Sequence, residues 1–311
     1  MIDQKVSKNF QTVKILSIYM VVFGHYDTFF ELTWVPVTIG LLIFAYSSGF
    51  FTAEKYLQGF NKKEFWLNKF LRIGKVLLFC DLFLLVLFIV QKKPDIIAWQ
   101  SIVSCLGLTG LLNWFYIPNK TPFGAGLWFL TLLYIFYLCY PLILRLNDKA
   151  WKGFFFSVCY TFFMWMLELY KPYGHALWLT SCGFIWGVVL SRHKLYFNRL
   201  FYFIALVLIF SGMIFFNFIF VYKAFNFIFI LFFAVVFMII LEHEKIPESI
   251  VKILSPLNGT IFFIYLLHPY LYLRIFDSNL KKTIFSMIFM TIVCKIFEIF
   301  VSKIKFNKKY A

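Results

Sequence analysis

The sequence predicts an all-α fold, a polytopic transmembrane helix bundle of about ten spans with both termini in the cytoplasm. Three observations carry that expectation. Of 311 residues, 62% are hydrophobic and only 14% charged, whereas an ordinary globular domain is nearer a quarter charged and cannot hide so much apolar surface. Runs of eighteen or more mostly apolar residues recur along the chain, each long enough to cross about 30 Å of hydrocarbon. The lysines and arginines gather in the short stretches between those runs.

The runs place spans at 12–30, 34–52, 70–90, 126–145, 152–169, 175–191, 200–220, 224–241, 258–275 and 283–302. The first follows a basic stretch, as a signal peptide does. Met20 to Gly24 nevertheless runs on into His25 without a small-residue cleavage site, so it reads as a retained helix. Asn258-Gly259, Pro172-Tyr173-Gly174 and Pro247 are breakers that support the boundaries. The segment 96–114 is interrupted by Gly107, Gly110 and Asn113, with Pro118 and Pro122 close behind. It reads as interfacial or re-entrant; counted as a span it would make eleven. A single membrane-embedded domain, 1–311, is expected.

Charge supports that layout. With ten spans, Lys5, Lys8, Lys55, Lys62, Lys63, Lys69, Arg145, Lys149, Lys152, Arg192, Lys194, Arg199 and the Lys303–Lys309 tail share one side. The other side holds the Asp27–Glu31 loop, which has no lysine or arginine, the turn near Lys171, and Lys92, Lys93, Lys281 and Lys282. The bias is strong though imperfect. The net charge of +16 therefore reads as orientation, and no contiguous basic face on a soluble element offers itself to nucleic acid. Cys80, Cys105, Cys139, Cys159, Cys182 and Cys294 have neither metal-ligand nor redox spacing.

Ionisable groups in hydrocarbon are expensive, so each needs a reason. Lys14 and His25 share one face of the first helix. Eleven residues turn through about 1100 degrees, about 20 degrees off whole turns, and rise about 16 Å. Spacing alone favours the plainer reading, Lys14 as an interfacial anchor and His25 as a capping or packing group. His268 precedes Pro269 inside the ninth run, a pairing that fits a polar, protein-lined cavity and equally a kink whose histidine bonds a neighbouring carbonyl. Asp81 and Glu168 are weaker cases, and Glu298 has Lys295 one turn away to pair with. Asp27 is placed to orient His25, although a solvated loop aspartate explains it better. Ser47-Ser48-Gly49 would admit a close neighbour, whether helix or ligand.

No soluble catalytic signature is present: no G-x-S-x-G elbow, H-E-x-x-H pair or nucleotide-binding glycine loop. A transporter or flippase of a small solute or glycolipid stays open, because buried histidines and an aspartate can relay protons.

The same residues carry a resemblance. Val13-Lys14 through Gly24-His25 is similar to the opening helix of the integral-membrane acyltransferase-3 family, where a basic residue precedes a histidine with ten residues between. Here the basic residue is lysine, the less common choice. Phe44 to Phe50, ending Ser48-Gly49-Phe50, resembles the family's phenylalanine-rich second stretch. Lys69-Phe70-Leu71-Arg72 resembles its basic start to the third span. Leu127-Trp128-Phe129-Leu130, then Tyr140-Pro141, and Ile264-Tyr265-Leu266-Leu267-His268-Pro269 resemble its later motifs. The five occur in order across roughly 10–300, and 152–241 carries none of them.

The resemblance is to the short O-acetyltransferase members without a fused extracytoplasmic domain. It implies transfer of acetyl from cytoplasmic acetyl-CoA, as substrate rather than resident cofactor, to a hydroxyl of a surface polysaccharide or its lipid-linked precursor. In that reading one polypeptide in a bacterial cytoplasmic membrane does the whole task, in contact with membrane lipid. His25 would be general base or acyl relay. Lys14 would hold the nucleotide or phosphate end of CoA as a point charge. Tyr265, Ser48 or His268 would supply donors to the thioester oxygen. Arg72 and Arg145 would assist CoA binding, with orientation anchoring their plainer role.

Overall fold

The computed structural model describes residues 3–26, 34–56, 59–171, 177–195, 197–219, 223–273 and 279–303. Among them every regular element is a helix. The α-helices are α1 (Gln4–Tyr26), α2 (Trp34–Lys55), α3 (Lys62–Val90), α4 (Trp99–Cys105), α5 (Thr109–Trp114), α6 (Trp128–Leu146) and α7 (Ala150–Tyr170). They continue with α8 (Leu177–Arg192), α9 (Arg199–Ile214), α10 (Lys223–His243), α11 (Glu248–Leu254), α12 (Ile261–Leu267) and α13 (Asn279–Lys303). Among the described residues, seven stretches are long and apolar enough to cross a bilayer: α2, α3, α6, α7, most of α10, Glu248–Tyr270 and most of α13. α8 and α9 are apolar but 16 residues each, about 24 Å of rise.

Several helices start earlier than hydropathy predicts, because polar first turns find partners. α1 begins eight residues ahead of the apolar run: Lys5 donates to His243 O, and Asn9 Nδ2 donates to Leu241 O and Glu244 O. α3 begins at Lys62, with Asn61 as N-cap accepting from Glu64 N. The apolar stretch Glu248–Tyr270, which overlaps the ninth run, is not one helix. α11, a 3₁₀ stretch over Ser255–Thr260, α12 and a 3₁₀ turn at His268–Tyr270 follow one another, so Pro256 and Asn258-Gly259 are absorbed as tight winding. The 96–114 segment forms two short helices, neither near the twenty or so residues of a span. Gly107, at φ +73, turns the chain between them.

The chain folds as two compact units. The first gathers α1 as far as Gly24, α2, and the chain from Tyr140 to Asn258. Its centre is α8, whose side chains from Leu177 to Ser191 are buried apart from half-buried Trp178, as befits a helix apolar all round. The backbones of α2 and α8 touch: Gly187 lies against Tyr46 O and Gly49 against Phe184 O, where a Cβ on either glycine would collide. Without a hydrophobic drive between helices in lipid, such small-residue contact lets dispersion hold them. Trp186 Nε1 donates to Thr161 Oγ1 at 3.0 Å, tying α7 to the same centre.

The second unit gathers His25 and Tyr26, the chain from Asn61 to Cys139, and the chain from Gly259 onward. Phe79 and Phe83 of α3 pack on Phe297 of α13 at 5.3 and 4.8 Å between ring centroids. Thr131 of α6 fastens the two short helices, accepting from Gly110 N and donating to Gly107 O, both at 2.9 Å. Leu78, Leu82, Val86 and Ile89 form an exposed apolar stripe on α3, opposite buried Leu77, Leu84 and Phe88. That stripe would be a liability in water and is ordinary against lipid.

Gly187→Leu is expected to destabilise the first unit by about 3 kcal/mol, since nothing but backbone can yield there. Gly74→Ala, at a position with no heavy atom within 4 Å of the added Cβ, is the control. Thermal unfolding in detergent should show the first lowered and the second unchanged or raised.

Candidate active site

The site begins with a proline. Pro269 has no N–H, so the carbonyl one turn back, Tyr265 O, loses its helical donor. Nδ1 of His268 donates to that carbonyl at 2.9 Å. Since a carbonyl only accepts, the bond puts the proton of neutral His268 on Nδ1 and the lone pair on Nε2. This is the second of the two readings of the His-Pro pair: the histidine bonds a neighbouring carbonyl, which leaves its other nitrogen facing away from that bond. His268 is 1% exposed, and Nε2 has no hydrogen-bond partner among the described residues.

Neighbouring tyrosines hold this turn. Tyr26 Oη donates to His268 O. Tyr265 Oη donates to Gly126 O at 3.1 Å and accepts from Leu130 N at 3.2 Å, at the head of α6. Tyr270 Oη accepts from Ala125 N at 2.9 Å. Gly126, at φ +72, presents a bare Cα to the His268 ring; a Cβ there would lie 3.7 Å from Nε2. His25, exposed in the last turn of α1, lies beside His268 with 5.1 Å between ring centroids and a 41° tilt.

Of the residues singled out by sequence, His25, His268 and Tyr265 are brought together in the second unit. The Tyr265 hydroxyl proton is engaged by Gly126 O, which makes this side chain a brace between α12 and α6. Lys14 lies on the same continuous helix as His25, half-buried, with Nζ 5.4 Å from the Phe51 ring centroid. Ser48 is half-buried on α2, and Arg145 is exposed in the last turn of α6. Arg72 is exposed on α3, while Lys69, three residues earlier, sits 4.3 Å over the Tyr137 ring. Glu298 pairs with Lys295 at 2.6 Å, as their spacing suggests. Asp27 lies outside the described residues. Among the described residues no three His, Cys, Asp or Glu side chains converge as metal ligands would.

Sequence reasoning missed Tyr26 and Gly126. Tyr26 follows His25, but nothing in the sequence says where its hydroxyl reaches. Gly126 did leave a signal, two glycines bracketing Ala125 just before the Trp-Phe-Leu helix. Tyr265→Phe should remove the brace, strip Gly126 O of a donor and cost about 1–3 kcal/mol, read as a lowered unfolding temperature in detergent.

No curated protein and no solved structure matches the chain. The family model Acyl_transf_3, described as an acyltransferase domain, matches residues 8–299, nearly its whole length and every helix that builds the site. With its many apolar helices, the chain belongs to that family of multi-pass membrane acyltransferases.

Proposed function

We propose that the protein is an O-acyltransferase that moves acetyl from cytoplasmic acetyl-CoA to a hydroxyl of a cell-surface polysaccharide or its lipid-linked precursor. The observation that carries this reading is the pair of imidazoles, His25 and His268, in contact within a helical unit of an acyltransferase chain. A hydroxyl is a poor nucleophile at neutral pH, so its proton must leave as attack proceeds, and a neutral imidazole is suited to take it. His25, the exposed member of the pair, serves as that base or carries the acyl group itself.

The sequence arrangement of ten spans with cytoplasmic termini, in a bacterial cytoplasmic membrane, puts Lys14 toward the cytoplasmic end of α1 and His25 toward the far end. About 16 Å of helix then separates a point charge for the CoA phosphates from the imidazole at the thioester. Arg72 and Arg145, both exposed, are the further cations this reading proposes to assist CoA binding. Ser48, Tyr265 or His268 is the donor this reading proposes for the thioester oxygen; in the structure Tyr265 Oη and His268 Nδ1 donate to protein carbonyls.

Purified protein in detergent should release free thiol from acetyl-CoA when a membrane-glycan extract is added. His25→Ala should lower that release at least about 100-fold while the protein stays folded. Lys14→Ala should raise the acetyl-CoA concentration needed by about tenfold or more, with little change in the saturated rate. Release that persists at the wild-type level in His25→Ala would end the histidine assignment. Solute movement without CoA consumption would replace the reading by transport.

A further inference from the structure

His268 has a feature that bracing α12 does not require. Its ring is fixed on one side by Nδ1 donating to Tyr265 O, and its backbone carbonyl is held by Tyr26. The opposite nitrogen, Nε2, is therefore a lone pair in a set direction, with no donor among the described residues. A buried acceptor without a donor carries a desolvation cost that a bracing histidine does not need to incur. Its neighbour is the ring of His25, which carries one N–H when neutral. At 1% exposure His268 is sheltered from substrate, whereas His25 is exposed.

We propose that His268 is a positioning residue for His25: its Nε2 accepts the His25 ring N–H, through a side-chain turn of His25, when substrate is bound. The proposal rests on the O-acyltransferase reading above. Hydrogen bonds of this kind are often long or misaligned in a ligand-free site and tighten with substrate present. The resulting chain runs from Tyr265 O through His268 to His25, an orienting group behind an imidazole behind the reacting nitrogen. It fixes the His25 tautomer, so that the nitrogen facing substrate carries a lone pair, and it favours the imidazolium that forms.

In the transfer step the acceptor O–H proton passes to that outward nitrogen, and the oxygen bonds to the acyl carbon. The C–S bond breaks with its electron pair on sulfur, and the thiolate takes the proton from His25. Throughout, the other His25 N–H stays on His268. Among the described residues, the titratable groups around the pair include Tyr26 on α1, Tyr265 and Tyr270 on the His268 segment, Tyr272 against Tyr26, and Cys294 on α13.

Two substitutions separate this role from bracing. Asn at 268 keeps a donor where Nδ1 stood and removes the acceptor; Gln keeps an acceptor where Nε2 stood and removes the donor. Glycan-dependent thiol release from acetyl-CoA is measured over pH 5–9 for wild type, His268→Asn and His268→Gln, with detergent unfolding as the folding check. Positioning predicts that Gln stays within about tenfold of wild type while Asn falls about 100-fold or more. The acid limb of kcat/KM should also move to lower pH in Asn, because an acceptor that favours His25 imidazolium has gone. Asn equal to or better than Gln would overturn the proposal and leave His268 a brace. Wild-type rates in both would overturn it too. Equal loss in both, with the acid limb gone, would make His268 itself the base. If wild type releases no thiol, the acyltransferase reading fails first and takes the proposal with it.

Discussion

Inside hydrocarbon a carbonyl without a donor has no water to turn to, and that constraint governs the helix ends of this protein. Two prolines break the ladder within apolar runs, and each time a side chain takes the orphaned carbonyl. Pro141 cannot bond Tyr137 O, which accepts from Trp66 Nε1 at 3.1 Å. Pro269 cannot bond Tyr265 O, which accepts from Nδ1 of the residue just before it. The first solution ties α3 to α6. The second determines which nitrogen of a buried histidine keeps its lone pair, and so what that histidine can do.

From that turn the rest of the site follows by the same rule. The carbonyl of His268 lies past the last α-helical turn and is met by Tyr26 from α1. The first amides of α6 and the turn before it are met by Tyr265 and Tyr270. Tyrosine suits this work, because its ring packs as an apolar body while its hydroxyl reaches a backbone group. The cluster is held by hydrogen-bond satisfaction, with the His25 imidazole at its edge.

The two units use different means of packing. Around α8 the small residues Gly49, Gly183 and Gly187 let backbones approach, and the helix disappears among its neighbours. In the second unit, interlocked phenylalanines of α3 and α13 and the threonine clasp at Thr131 replace close backbone contact. The high phenylalanine content is thus used in the core as well as toward lipid.

Sequence alone determined the class of the protein and most of its helices, because a run of apolar residues long enough to span a bilayer leaves few alternatives. It also marked His25, Lys14 and His268, since charged or titratable groups in apolar runs stand out against their cost. Local spacing sufficed for Glu298 with Lys295. Hydropathy misplaced the starts of α1 and α3, whose polar first turns are held by caps and distant carbonyls rather than by burial. Only the tertiary structure decided that His25 meets His268, that the Tyr265 hydroxyl joins Gly126 O, and that Gly126 lies at the His268 ring. The physical reason is direction. Sequence spacing sets which face of a helix a residue occupies, but the partner of a hydrogen bond is chosen by elements far apart in the chain, and each such bond needs a donor aimed within a few tenths of an ångström.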